Sequence, residues 1–327
     1  MFNKFAMILD CSRVYSLPMT IISWLVVFTY ALFESGSVGY GILALIGICL
    51  AHLGTNVIDD YVDYKSLIKQ VDFDKNEYLK NTQKTKCRYL ISGMMTEKEI
   101  IILALSYFSI AALIGLFFYT KCGIQVLYFA LAGGIIGVLY PFLSRIRLSE
   151  IAVGLTYGPL LFGGVFYVMT KTLTPEVFWL SIPTMFVTII LLYIHTIMDF
   201  EYDLKEGHLT ISNAFDSQLD SLIVLKVFII ISYISLVLLC ILDILDWQAF
   251  LVYLTIPLAI DLYKSMEQFS IDTESIPERK WYHFPMENMK HIIRMQARNF
   301  MVRIYQSRNL MIYFGLLLVL AIILEKL

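Results

Sequence analysis

Nine stretches of the chain are apolar over about 20 residues each, the length an α-helix needs to cross the hydrocarbon core of a bilayer. They cover roughly residues 14–33, 38–58, 100–119, 124–143, 150–170, 177–198, 221–242, 247–263 and 309–325. Backbone groups inside lipid have no water to bond, so such runs must form helices or closed barrels, and unbroken apolarity selects helices. Of the 327 residues, 58% are hydrophobic and 16% charged. That balance, with a mean hydropathy of +0.72, excludes a soluble globule. The eighth run is the weakest, because Pro257 and Asp261 interrupt it. No small-residue cleavage site follows the first short apolar core, so the first run is expected to remain as a span. Cys11, Cys49, Cys87, Cys122 and Cys240 show no ligand-like spacing, and neither a zinc site nor a disulfide framework is expected.

A net charge of −2 says little in such a chain, because placement matters more than sum. Of the 25 Lys and Arg residues, 21 fall in the N-terminal segment, which holds Lys4 and Arg13, and in the alternate connections 2–3, 4–5, 6–7 and 8–9. The opposite side holds only Lys121, Lys171 and Lys326, and Lys226 lies within a run. The asymmetry predicts a multi-pass membrane protein with a cytoplasmic N-terminus and an external C-terminus. Chain 1–327 reads as one transmembrane domain with a cytoplasmic insertion at about 264–308. Within that insertion, residues 286–306 are apolar at near-helical spacing and basic between, which predicts an amphipathic helix on the membrane lipid headgroups.

Two acidic clusters stand at the ends of apolar runs on that same side. Asn56-x-x-Asp59-Asp60-x-x-Asp63 and Asp199-x-x-x-Asp203 lie 140 residues apart, counted from Asp59 to Asp199. Side chains at i and i+4 share a helix face, so each cluster aims carboxylates at one point. Carboxylates at a membrane edge are costly unless they hold a cation or line a wet cavity. Two such pairs therefore point to a divalent-metal site for a polyphosphate substrate. Four runs separate the clusters, which is consistent with an internal four-helix repeat. His195 precedes Asp199 by one helical turn and can take a proton or contact a substrate, or can pack between helices. His52 lies deeper in the second run, where a packing role dominates.

The residues also resemble a family. Asn56-x-x-Asp59-Asp60-Tyr61-x-Asp63-Tyr64-Lys65-Ser66, Arg88-Tyr-Leu-Ile-Ser92-Gly93, Tyr140-Pro-Phe-Leu-Ser-Arg145 and Asp199-x-x-x-Asp203-Leu-Lys205-x-Gly207 resemble, in order, the signatures of the UbiA superfamily of intramembrane prenyltransferases. What the resemblance implies is an all-α membrane fold of nine helices around a central cavity. It further implies Mg²⁺ bridging Asp59, Asp60, Asp63, Asp199 and Asp203 to an isoprenyl diphosphate donor, with Asp60, Asp63, Asp199 and Asp203 as the catalytic set. Asn56, Lys65, Arg88, Tyr140, Arg145, His195 and Lys205 become the substrate-binding candidates. Arg88 is favoured for the diphosphate because its fork of donors matches phosphate oxygens. Asp59 stands where the family commonly has Asn, and Leu67 where many members have Asp or Gly.

The expected activity is prenyl transfer to a lipophilic acceptor, an aromatic quinone precursor of the dihydroxynaphthoate or hydroxybenzoate kind. A membrane terpene cyclase of the same superfamily, needing no acceptor, is the alternative, and an ion-coupled transporter is a third reading. No nucleic-acid partner is expected. In a cysteine-free background, single cysteines within 65–98 and 264–308 should label from the cytoplasmic side of sealed vesicles, and one at the C-terminus from the other side. A C-terminus that labels together with 65–98 would mean an even number of spans.

Overall fold

The computed structural model describes residues 4–70, 73–80, 87–286 and 298–327. Nine helices among the described residues are long and apolar enough to cross a membrane: α1 Val14–Phe33, α2 Val38–Leu67, α3 Glu97–Cys122, α4 Gln125–Leu143, α5 Ser149–Thr170, α6 Pro175–Met198, α7 Gln218–Ile241, α8 Trp247–Ile271 and α9 Arg298–Lys326. Their starts follow local chemistry. Pro175 occupies the first turn of α6, where its missing N–H costs nothing. Thr96 and Glu99 form a reciprocal capping box on α3, and Ser217 accepts the Asp220 amide at the head of α7. Each spanning helix packs on the next in sequence, and α9 closes on α1, so the nine form a ring. The protein is a multi-pass integral membrane protein.

The ring is uneven. A continuous core fills the space between α1, α5, α6, α7 and α9, with Val27, Phe162, Phe166, Ile190, Ile194, Leu225 and Leu318 fully or almost fully buried. By contrast α3 and α4 bury little of their surface, and they wall a cavity on the other side. The chain of α5 breaks at Thr156–Leu160, a π-helical turn where Pro159 lacks an N–H and Gly158 leaves helical geometry at φ −96°, ψ −111°. The break faces the cavity, and Tyr157 within it lines the cavity wall.

Several helix ends differ from those that hydropathy alone predicts. Helix α2 continues from residue 58 to Leu67, so the first acidic cluster lies inside a helix, with its carboxylates buried against neighbouring chain rather than solvated. Helix α8 opens as a 3₁₀ segment, Trp247–Thr255, and becomes α-helical at Ile256, which puts Pro257 harmlessly in a first turn. Its awkward Asp261 is satisfied by Lys280 Nζ at 2.9 Å, Tyr282 Oη at 2.6 Å and His283 Nε2 at 3.1 Å. Residues 264–271 belong to α8 and 298–308 to α9. The amphipathic helix expected over 286–306 therefore falls largely outside the described residues, and its last part is the beginning of α9.

Arg303 ties these pieces together. Its side chain is wholly buried, yet Nε donates to Ser265 O at 3.0 Å, and Nη1 donates to Ser275 O at 2.8 Å and Asn299 O at 2.9 Å. Nη2 donates to Ser275 Oγ at 2.9 Å, and the guanidinium lies 4.9 Å from the centre of the Phe269 ring. The group thus links α8, α9 and the connection between them. Arg303→Met keeps the apolar stem but strips buried acceptors of their donor, at roughly 1–3 kcal/mol each. Its midpoint of thermal unfolding in detergent should fall by several degrees, and an unchanged midpoint would mean the network carries no stability.

Candidate active site

A cavity of about 2070 Å³ lies inside the ring. Its body is apolar, with Phe108, Ile114, Phe129, Val138, Leu161 and Val165 among its walls, and its polar lining includes both acidic clusters. Asp59, Asp60, Asp63, Asp199 and Asp203 all line it, as do Asn56, Arg88, Tyr140, Arg145 and His195. Two expected cations are absent from that lining. Lys65 pairs with Glu97 at 3.0 Å on the outer side of α2, and Lys205 is exposed on the short helix Phe200–Glu206.

The first cluster is held by neighbours that a span count does not reveal. Asp59, Asp60 and Asp63 are 3%, 6% and 5% exposed, so three carboxylates sit together away from water. Arg13 answers that charge. Its Nη1 lies 3.3 Å from Asp59 Oδ2, and its Nη2 donates to Asp60 Oδ1. Burial is the largest single influence and opposes the charge on Arg13, but the neighbouring groups together, Asp59 first and Asp63 among them, outweigh it and hold the guanidinium pKa above its ordinary value. The other oxygen of Asp60 accepts the Cys87 amide at 3.2 Å, while Cys87 Sγ lies 3.1 Å from the Asp60 carbonyl. Cys87 adopts a left-handed backbone at φ 56° and starts the helix Arg88–Ser92. That turn brings Arg88 to the cavity, where its Nη2 donates to Leu79 O at 3.3 Å.

The second cluster straddles a break. Helix α6 ends at Met198 and Phe200–Glu206 begins a new turn, yet the Asp203 amide still bonds the Asp199 carbonyl at 2.7 Å. The i, i+4 relation expected of the two aspartates therefore survives the junction. Gly207, at φ 76°, ends the turn in a left-handed conformation that favours glycine, and the His208 amide then caps Asp203 O at 2.8 Å. His208 Nε2 comes within 4.0 Å of Asp63 Oδ1, a contact that bridges the two clusters. The loop after α4 is bound alongside, with Leu209 N to Ser144 O at 2.9 Å and Arg147 N to Leu209 O at 2.8 Å. Beneath it, wholly buried Glu150 accepts Ile211 N at 3.1 Å and Ser149 Oγ at 2.8 Å. Arg145 reaches across to Ser66 Oγ at 2.6 Å, joining this loop to the end of α2.

Deeper in the cavity, His52 bonds Ser16 Oγ at 3.0 Å through Nε2, and its Nδ1 lies 2.7 Å from Thr20 Oγ1 and 3.0 Å from Tyr157 Oη. Asn56 donates to Ser12 O and Ser16 Oγ, both at 3.1 Å. These two residues stitch α2 to the chain around α1, which is a packing role. His195 lines the cavity next to the Phe300 ring, 6.0 Å between ring centres. Arg13, Cys87, His208 and Glu150 are the site residues that sequence reasoning missed. Arg13 alone carried a usable signal, as a cation placed by charge counting on the same membrane side as the clusters.

Among the described residues, no three His, Cys, Asp or Glu side chains converge as a ready-made metal cage. The donor set nevertheless suits Mg²⁺, which takes one or two carboxylates and completes its shell with substrate phosphates and water. Hard carboxylate oxygens in two groups, with arginines at the same end, match that requirement better than they match zinc, which favours sulfur and nitrogen ligands.

The sequence profile of the UbiA prenyltransferase family matches residues 17–290. No curated protein matches the chain significantly. Among solved structures, a UbiA homologue from Archaeoglobus fulgidus bound to GPP and Mg²⁺ superposes with a TM-score of 0.60 at 14% identity, covering 95% of this chain and 99% of the homologue. The apo UbiA homologue from Aeropyrum pernix K1 gives 0.61 at 16% identity, over 94% and 98%. A structure of digeranylgeranylglyceryl phosphate synthase gives 0.57 at 15% identity, over 99% and 98%. At these identities the likeness establishes the fold, and it bears out the expected nine-helix ring.

Proposed function

The chain belongs to the UbiA prenyltransferase family, and we propose on that premise that it moves an isoprenoid chain from its diphosphate to a lipophilic acceptor with Mg²⁺ as cofactor. The observation that carries the reading is the placing of both acidic clusters, with Arg13, Arg88 and Arg145, in the lining of a large apolar cavity. A prenyl diphosphate is matched to such a cavity at both ends: its chain needs apolar walls and its head needs cations. Asp60 and Asp63 from α2, with Asp199 and Asp203 from the α6 junction, would hold Mg²⁺. Bound there, Mg²⁺ would neutralise charge on the diphosphate.

The chain's own residues account for the rest. As the bond from C1 to oxygen breaks, negative charge grows on the leaving diphosphate, and Arg88 is set to meet it by charge-assisted hydrogen bonds. The apolar walls keep water from the developing allylic cation, which water would quench. The acceptor would bind between the clusters and the Tyr140–Arg145 segment, close enough for its nucleophilic carbon to attack C1. An aromatic quinone precursor of the dihydroxynaphthoate or hydroxybenzoate kind suits this position, with Arg145 steering an acidic ring. Charge placement further supports a cytoplasmic acidic face, a cytoplasmic N-terminus and a single domain carrying the 8–9 connection as an insertion.

Replacing either Asp199 or Asp203 by Asn should reduce Mg²⁺-dependent turnover of a prenyl diphosphate at least about 100-fold, the scale of losing one stabiliser of transition-state charge. Full activity in both variants would contradict the reading. Cyclised hydrocarbon formed at full rate without any acceptor would replace transfer with cyclisation.

A further inference from the structure

Arg13 occupies oxygens that a metal ion would use. Asp60 has donors on both carboxylate oxygens: Arg13 Nη2 on Oδ1, and the Cys87 amide at 3.2 Å on Oδ2. Asp59 shares the same guanidinium at 3.3 Å. A divalent ion on Asp60 would stand within a few ångströms of that guanidinium, and like charges at this range in a partly buried site repel strongly. Metal binding and the Arg13 contact are therefore in competition for the first cluster.

The position of Arg13 in the chain suits a side chain that changes partner. It lies between the helix Lys4–Cys11 and the turn Val14–Ser16, with a left-handed backbone at φ 53°. Its own amide bonds Asp10 O at 2.9 Å, and its carbonyl accepts Ser16 Oγ at 2.8 Å. The main chain is thus pinned independently of the side chain. A diphosphate entering the cavity brings oxygens that a guanidinium fork matches at least as well as it matches two separate carboxylates.

We propose that Arg13 is a resident counter-cation of the first acidic cluster, and that it makes metal capture there conditional on diphosphate. Without diphosphate, an ion must displace the guanidinium from two buried carboxylates and leave it facing the ion. With diphosphate, the guanidinium transfers to phosphate oxygens as the ion takes Asp60. Asp59 then serves to anchor Arg13 and is not itself a metal ligand. The proposal rests on the metal-dependent reading above.

The test uses detergent-solubilised full-length protein and Mn²⁺, followed by loss of the free-ion electron paramagnetic resonance signal against a protein-free blank, with and without inorganic diphosphate. Wild-type protein should bind Mn²⁺ at least about tenfold more tightly when diphosphate is present. Arg13→Gln should bind Mn²⁺ alone at least about tenfold more tightly than wild type does, with much of the diphosphate dependence gone. Asp59→Asn keeps the side-chain shape and should bind Mn²⁺ alone as well as wild type or better. Equal Mn²⁺ affinities in wild type and Arg13→Gln would overturn the proposal. So would a tenfold loss in Asp59→Asn, which would make Asp59 a ligand. Absence of Mn²⁺ binding in every protein even with diphosphate would instead remove the metal-dependent reading, and the proposal with it.

Discussion

Charge in a low-dielectric place governs this structure. Five aspartates line a cavity whose body is apolar, and three of them are nearly inaccessible to water. Charge so placed is costly unless it is paired or hydrogen-bonded. Each of these three meets a partner that another part of the chain delivers. Arg13 comes from the N-terminal segment, the Cys87 amide from the connection after α2, and His208 from the turn after the second cluster. The nine-helix ring is the frame that brings these distant segments to one end.

The supporting contacts come from the ends of spans together with the connections between them. Glu150, buried under the second cluster, holds Ile211, and Asn213 holds the His208 carbonyl at 2.8 Å, so the loop after Gly207 cannot drift from Asp63. Arg145 and the paired backbone of Ser144 and Leu209 lash the α4–α5 loop to the same assembly. At the other rim, Arg303 and the cluster around Asp261 fix the beginning of α9, whose Phe300, Ile304 and Tyr305 complete the cavity wall. Polar groups thus decide the geometry of the acidic end, while apolar packing of α1, α5, α6, α7 and α9 supplies rigidity behind it.

Hydropathy made the number of spans legible, because lipid leaves a polypeptide few alternatives, while the ring was implied by the resemblance to the UbiA superfamily. The acidic clusters were legible for the related reason that carboxylates beside apolar runs demand an explanation. Helix ends were not, since the apolar run stops near residue 58 while the polar turns that carry α2 on to Leu67 give no hydropathy signal. Arg13 was read only as a positive residue on the basic side, because its partners lie 46 and 47 residues away and no local pattern encodes that meeting. Lys65 and Lys205 show the converse. As cations within the motifs that carry the resemblance they were candidates for phosphate contact, but at i+2 from Asp63 and Asp203 the helix turns them away from the carboxylate face. Charge adjacent in sequence is a weak guide where helical phase decides the direction.

The most direct measurement is anomalous diffraction from Mn²⁺ in crystals grown with a non-hydrolysable prenyl thiodiphosphate. The account predicts an anomalous peak between Asp60 or Asp63 and Asp199 or Asp203, the diphosphate within reach of Arg88, and the prenyl chain along the walls of α3 and α4. A diphosphate at the opposite end of the ring, or an ordered diphosphate with no Mn²⁺ peak beside these aspartates, would contradict it.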